Sequence, residues 1–194
     1  IDKLTMEIVG TYRLKCFDQL KNSYTALEFD LTSILSQPGP HLELGRACIQ
    51  QSHRKGSVIS LLWRGITEYM KLSGAQTLFG CSSVKVDNPR DSSLIYQHME
   101  NEGFVSNEFL SHPQKEFLMD DFETWRQYFK QDMTPEHKVE AEALVPSLLK
   151  SYVRMGARIV GEPAYDADFD CIDFLTVLKR DSLDNALARK YRVK

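Results

Sequence analysis

Glu43 and Arg46 stand three residues apart in the apolar run Leu42–Ile49, and that run leads directly into Gln51-Ser52-His53-Arg54-Lys55-Gly56-Ser57 and a helix-forming stretch. A strand that feeds a polar, glycine-bearing turn into a helix start presents free backbone N–H groups and the positive end of a helix dipole. Both suit a phosphate. A carboxylate just upstream of such a cradle is a candidate acid/base group for a reaction on a phosphate-bearing ligand. The same residues also fit a plainer reading: a half-buried strand, Glu43 paired with Arg46 or Arg13, and an ordinary strand–helix turn. In a regular strand Arg46 falls on the opposite face from Glu43.

A second constellation, Glu162, Tyr165, Asp166 and Asp168, crowds one turn. Several carboxylates around a turn attract a dibasic amine through charge-assisted hydrogen bonds. An acidic turn without a ligand is the alternative, since Asp and Pro favour turns in any case. Asp166-Ala167-Asp168-Phe169-Asp170 lacks the glycine and the downstream bidentate glutamate of a calcium loop. Cys16, Cys48, Cys81 and Cys171 are far apart, without CxxC or His/Cys spacing, so no metal site is expected. His41, His98, His112 and His137 are scattered without a partner pattern.

The elements that must hold these groups follow from periodicity and punctuation. Met6–Leu14 and Leu42–Ile49 read as strands, separated by the loop Gln37-Pro38-Gly39-Pro40. Ile59, Leu62, Trp63, Ile66, Tyr69 and Met70 recur at helical spacing, which predicts an amphipathic helix over Val58–Ser73 stopped by Gly74. Thr77–Val84, with Ser82 and Ser83, reads as a strand, Ser92–Glu102 as a helix ended by Gly103, and Phe104–Leu110 as a further strand. The stretch from His112 to Met133 is rich in charged and aromatic residues, and Pro113 opens it as a loop. Pro135–Met155 is helix-forming, kinked or divided at Pro146. Arg158–Val160 and Ile172–Leu178 read as strands joined by a turn over Gly161–Asp168, and Asp181–Tyr191 as a terminal helix. This is a mixed α/β pattern around one sheet.

The 194 residues suffice for one domain with a substantial core. A net charge of -3 gives no global attraction to nucleic acid, so none is expected as a partner. No apolar stretch approaches the roughly 20 residues that span a bilayer, and no signal peptide is visible. A cytoplasmic protein is expected.

Taken together, the motifs resemble the GNAT N-acyltransferase fold, and within it the lipid-acyl branch: ornithine-lipid and haemolysin-like acyltransferases, N-acyl amino acid synthases and, more distantly, acyl-homoserine-lactone synthases. Gly10-Thr11-Tyr12-Arg13-Leu14 resembles the GxxRL strand of that branch, and Leu42-Glu43-Leu44-Gly45-Arg46-Ala47-Cys48-Ile49 its E-L-x-R-x-x-V strand. Val58-Ile59-Ser60-Leu61-Leu62-Trp63-Arg64-Gly65 and Gly161-Glu162-Pro163-Ala164-Tyr165-Asp166 resemble the ornithine-lipid members in particular. The resemblance covers nearly all of 1–194 as a single domain. It implies a central, mostly antiparallel mixed sheet with two splayed strands and flanking helices, although the chain begins at what corresponds to an interior strand.

The resemblance implies acyl transfer from a thioester to an amine. Glu43 is then the base and Arg46 its catalytic companion, brought inward by a bulge. His53, Arg54, Gly56 and Ser57 grip the donor's phosphopantetheine, with Ser82 and Ser83 bonding its amides. Arg13, Glu162, Tyr165 and Asp166 receive the acceptor. The family turn (Q/R)xxGx(G/A), set on Gly56, reads His53 to Val58 here, with His first and Val last. That favours the single phosphodiester of an acyl carrier protein over the pyrophosphate of coenzyme A. Arg54, Lys55 and Arg64 suit the acidic surface of such a carrier. The expected reaction moves a long acyl chain, with or without a 3-hydroxyl, to the α-amine of ornithine in aminolipid synthesis, with transient contact at the inner membrane. The alternatives are an N-acyl amino acid synthase acting on a neutral or aromatic amino acid such as tyrosine, and a non-catalytic carrier-binding module.

Overall fold

The computed structural model describes residues 1–17, 23–54 and 57–183. Its strands are β1 (Gly10–Phe17), β2 (His41–Ile49), β3 (Thr77–Val84), β4 (Val105–Ser106), β5 (Arg158–Val160), β6 (Ala164–Asp166) and β7 (Cys171–Lys179). The helices are α1 (Thr25–Glu28), α2 (Thr32–Leu35), α3 (Val58–Ser73), α4 (Pro89–Asn101), α5 (Phe122–Gln131), α6 (Pro135–Leu144) and α7 (Ser147–Arg154). The strands make one sheet in the order β1-β2-β3-β7-β5-β4, with β6 also paired to β7. Among the described strands only β2–β3 and β4–β5 are parallel, so the sheet is mixed and mostly antiparallel, as the family resemblance implies.

Residues alternate across the sheet and give it two different coats. Leu42, Leu44, Leu78 and Leu178 pack with Trp63, Ile66 and Met70 of α3 and Tyr152 of α7. Further along the same face, Val84, Ile172 and Phe174 meet Ile95, Tyr96 and Met99 of α4 and Phe122 of α5. On the other face Phe79, Leu175 and Val177 pack beneath Phe29, Leu31 and Ile34, from α2 and the segment linking it to α1.

Helix α3 has the predicted bounds, and Gly74 stops it at φ 71°, a left-handed turn that glycine makes without a Cβ clash. Helix α4 begins three residues earlier than Ser92 because Asn88 caps it, its side chain accepting from the Asp91 N–H at 2.9 Å, with Pro89 in the first turn. Pro146 divides the Pro135–Met155 stretch into α6 and α7 instead of kinking it.

Several expectations need correction. The first strand starts at Gly10, not Met6, and the strand expected at Phe104–Leu110 is only two residues long. Within the charged, aromatic stretch His112–Met133, to which the sequence pattern assigns no element beyond the loop at Pro113, α5 forms and buries Phe122 and Phe129. The Gly161–Asp168 turn contains β6. Most of the terminal helix expected over Asp181–Tyr191 lies outside the described residues.

Candidate active site

Strands β2 and β3 pair in parallel only at His41–Thr77, Leu42–Leu78 and Glu43–Phe79, although both continue well beyond. Past that point they part. Gly80 marks the fork: a Cβ there would lie 2.1 Å from the Leu44 carbonyl oxygen, so only glycine lets the two backbones come this close.

The parting opens a cavity of about 360 Å³ lined by Gly45, Arg46 and Ala47 on one flank and by Gly80, Cys81, Ser82 and Ser83 on the other. Because successive residues of β3 line it, the cleft passes through the sheet. On the α3 side it runs over Leu44, Leu78, Leu148, Leu149 and Leu178, which is an apolar floor suited to a hydrocarbon. Three aromatic residues, Tyr12, Trp63 and Tyr152, also line it. The Tyr12 and Tyr152 hydroxyls are 2.8 Å apart. The Trp63 Nε1–H is buried and has no hydrogen-bond partner among the described residues. Burial raises both tyrosines above the ordinary phenol range.

A β-bulge bears on Arg46. Pairing of β1 with β2 shifts register between Thr11 and Arg13, and Arg46 takes φ 52°. The extra residue turns Arg46 toward the face of Arg13. Both guanidiniums lie against the Tyr24 ring, at 4.4 Å for Arg13 and 5.2 Å for Arg46 from its centroid, and Arg46 also donates to the Tyr24 hydroxyl at 3.3 Å. Arg46 lines the cleft.

Glu43 does not. It is 1% exposed and absent from the cleft lining. Its carboxylate accepts from Arg13, from the Ser23 hydroxyl at 2.7 Å and from the Thr25 N–H at 2.8 Å. The expectation that Glu43 is a base facing the donor is therefore corrected. The salt bridge to Arg13 is the plainer reading, and the pair ties the start of α1 to β2. Arg13 is held by that pair and by Tyr24, with its buried Nε left without a partner among the described residues.

The two serines of β3 are divided by its alternation. Ser82 accepts from Thr176 at 2.8 Å on the α3 side, and Ser83 donates to Asp173 at 2.7 Å on the other. In the turn after β2, His53 meets Ser52 at 2.9 Å and Asp2 at 3.5 Å, and Arg54 donates to the Ile49 carbonyl at 3.1 Å. Ser57 is the N-cap of α3 but makes no side-chain cap, which leaves first-turn amides open to an anion. Lys55 and Gly56 lie outside the described residues. His53, Arg54 and Ser57 do not line the cleft itself.

The acceptor constellation does not stay together either. Glu162 turns to Arg126, 3.4 Å away, which also pairs with Glu100 and Glu123. Tyr165 packs with the α4–α5 core. Asp166 pairs in register with Cys171 of β7, and its side chain accepts from the Asp168 N–H at 3.0 Å.

The sequence reading missed Glu28, the last residue of α1. Its Oε2 is buried with no hydrogen-bond partner among the described residues. One oxygen of Glu28, the Cys81 sulfur and one oxygen of Asp173 lie within 4.8 Å of one another. Burial, and then the charge of Asp173, push the Glu28 carboxyl up to about 7. Burial likewise raises the Asp173 carboxyl and holds the Cys81 thiol well above its ordinary value. These three donors are one short of the four a tetrahedral zinc site uses. No local motif announces Glu28; only the fold brings it to β3 and β7. Tyr96 of α4 is a core residue stacked on Phe174 and does not line the cleft.

A sheet parted between two parallel neighbours, with a polar turn and a helix start after the first of them, can be compared with known proteins. The family profile described as "Acetyltransferase (GNAT) domain" matches residues 1–64. A protein of Rhizobium meliloti named L-ornithine N(alpha)-acyltransferase is 31% identical over 180 residues, covering 89% of this chain and 57% of that protein. A protein of the same name from Brucella abortus is 28% identical over 196 residues, covering 95% of this chain and 65% of that one. The chain thus spans less than two thirds of the length of these relatives. A crystal structure of aminoglycoside 6'-N-acetyltransferase complexed with coenzyme A aligns with 72% of this chain and 59% of that chain, at 14% identity and a TM-score of 0.39. Residues 1–64 are thus similar to the GNAT acetyltransferase domain, and most of the chain's length is similar to proteins named L-ornithine N(alpha)-acyltransferase.

Proposed function

We propose that this protein transfers a long-chain fatty acyl group from a thioester, carried on the phosphopantetheine of an acyl carrier protein, to the α-amine of ornithine. The observation that carries the reading is the parted β2–β3 pair, whose cleft is apolar on the α3 side, polar at its rim and open through the sheet. A thioester laid in that fork presents its carbonyl to strand N–H groups not used in β2–β3 pairing, which stabilise the oxyanion as the amine adds. The acyl chain runs over Leu44, Leu78 and Leu178. Each methylene removed from water there contributes about 0.8 kcal/mol. Tyr12, Tyr152 and the free Trp63 N–H offer partners to a hydroxyl on that chain.

Ornithine is favoured as acceptor by the names of the relatives and by the carboxylates of Glu28, Asp173 and Asp166 on the face opposite α3. The phosphate is assigned to the turn over His53, Arg54, Gly56 and Ser57 and to the start of α3. Arg54 and Arg64 are exposed cations beside it that match an acidic carrier. Among the described residues no helix is long and apolar enough to cross a membrane. An acyl-amine product destined for a lipid is then handed over at a membrane surface.

The test is mass spectrometry of products after mixing the natural protein with acyl carrier protein thioesters, acyl-coenzyme A and an amino-acid pool. N-acyl-ornithine formed from the carrier thioester supports the proposal. N-acyl-tyrosine, or a requirement for coenzyme A, replaces acceptor or donor. Carrier binding without any product reduces the protein to a binding module.

A further inference from the structure

We infer that Glu28, standing on the face of the sheet opposite the acyl floor, is the group that takes the proton from the acceptor amine. The inference deepens the function proposed above and rests on it. Acyl transfer needs a carboxylate with a free oxygen, within reach of the fork and on the side from which the amine arrives. Glu43 shares that face and stands at the last β2–β3 pair, but three donors already engage its carboxylate and it is 1% exposed, shut off from an arriving amine.

Glu28 does not line the cleft itself, but its Oε2 has no hydrogen-bond partner among the described residues, and its carboxyl lies within 4.8 Å of the sulfur of Cys81, a wall residue of the cleft one position beyond Gly80. The cleft admits both faces of β3, so a donor entering over Leu78 and Ser82 and an amine entering past Cys81 and Ser83 meet at the fork from opposite sides.

The surroundings tune Glu28 for that work. The groups facing it are Cys81 on β3, Asp173 and Cys171 on β7, and Asp166 on β6. Burial and the like charges hold its proton affinity near neutrality, where a general base is most effective, and the same carboxylates attract an ammonium group. The ammonium nitrogen gives one proton to Glu28. The neutral amine then attacks the thioester carbonyl and forms the C–N bond. The tetrahedral adduct collapses with loss of the C–S bond, and the second nitrogen proton ends on the departing sulfur as a thiol. Glu28 releases its own proton to solvent.

Glu43 becomes a positioning residue. Through the Thr25 N–H it fixes the first turn of α1, whose last residue is Glu28.

The experiment compares the natural protein with Glu28→Gln and Glu28→Asp, using ornithine and a long-chain acyl carrier protein thioester between pH 5.5 and 9. We expect Glu28→Gln to lower kcat/KM at pH 7 by at least about a hundredfold, to leave donor KM and the melting temperature at pH 8 undiminished, and to abolish the limb of the pH profile near 7. Glu28→Asp restores part of the rate. A Glu28→Gln protein that keeps the wild-type rate, or loses rate but keeps the limb in place, overturns the inference and leaves the acyltransferase reading intact. A natural protein that acylates no amine overturns that reading first.

Discussion

A carboxylate that accepts from Arg13, Ser23 and Thr25 at once and is 1% exposed is closed to a substrate, and Glu43 is in that position. Removing its charge leaves the Arg13 guanidinium, 24% exposed, without a counterion. Glu43→Gln is therefore expected to destabilise the fold by about 3 kcal/mol, the lower end for a broken buried pair, read as a lower midpoint in urea. Glu28 behaves in the opposite sense. Its folded proton affinity is raised, from the ordinary 4.5 to about 7, so the unfolded chain releases that proton first as pH rises. Its contribution is thus favourable below about pH 4.5 and is lost progressively up to about 7. Melting temperatures measured across that window should fall with pH in the natural protein and fall less in Glu28→Gln, which should be the more stable of the two at pH 8. At the far end of the cleft, Tyr12→Phe removes the 2.8 Å contact with Tyr152 at a cost of about 1 kcal/mol in thermal or urea unfolding.

At the scale of elements, the fork depends on two backbones touching and then separating. Gly80→Ala would put a methyl group 2.1 Å from the Leu44 carbonyl, and backbone cannot swing aside as a side chain does. The expected cost is about 3 kcal/mol or more, and strand β3 must shift, so carrier-thioester binding should fall along with the melting temperature. Sequence made these elements legible unevenly. The Thr77–Val84 strand and the Val58–Ser73 helix came through intact, because eight and sixteen residues are long enough for a period to show. The three residues of β6 sit among turn formers, too few to alternate visibly, and the aromatic stripe of α5 was masked by its charges. The bulge at Arg46 was implied only by resemblance, since one inserted residue leaves no compositional trace.

For the molecule as a whole, legibility followed sequence distance. The fork and its phosphate turn are built from neighbouring residues and could be read. Glu28 meets Cys81 and Asp173 only through tertiary pairing across a long stretch of chain, so no window of sequence contains the cluster. The acceptor loop failed for the same reason: Glu162 and Asp166, four residues apart in sequence, are drawn apart by Arg126 and β7. Strand β7 shows how far this reaches. Among the described residues it is the last strand in chain order, yet it lies between β3 and β5, pairs also with β6 and is buried along eight of its nine residues. A nascent polypeptide emerging from the ribosome therefore holds a half-built sheet, its middle seat vacant, until Cys171–Lys179 clears the exit tunnel. Such distant pairing slows folding and keeps apolar edges within reach of chaperones and proteases. Translation stalled just short of Cys171 should yield a protease-sensitive chain, whereas release beyond Lys179 should yield resistance in a single step.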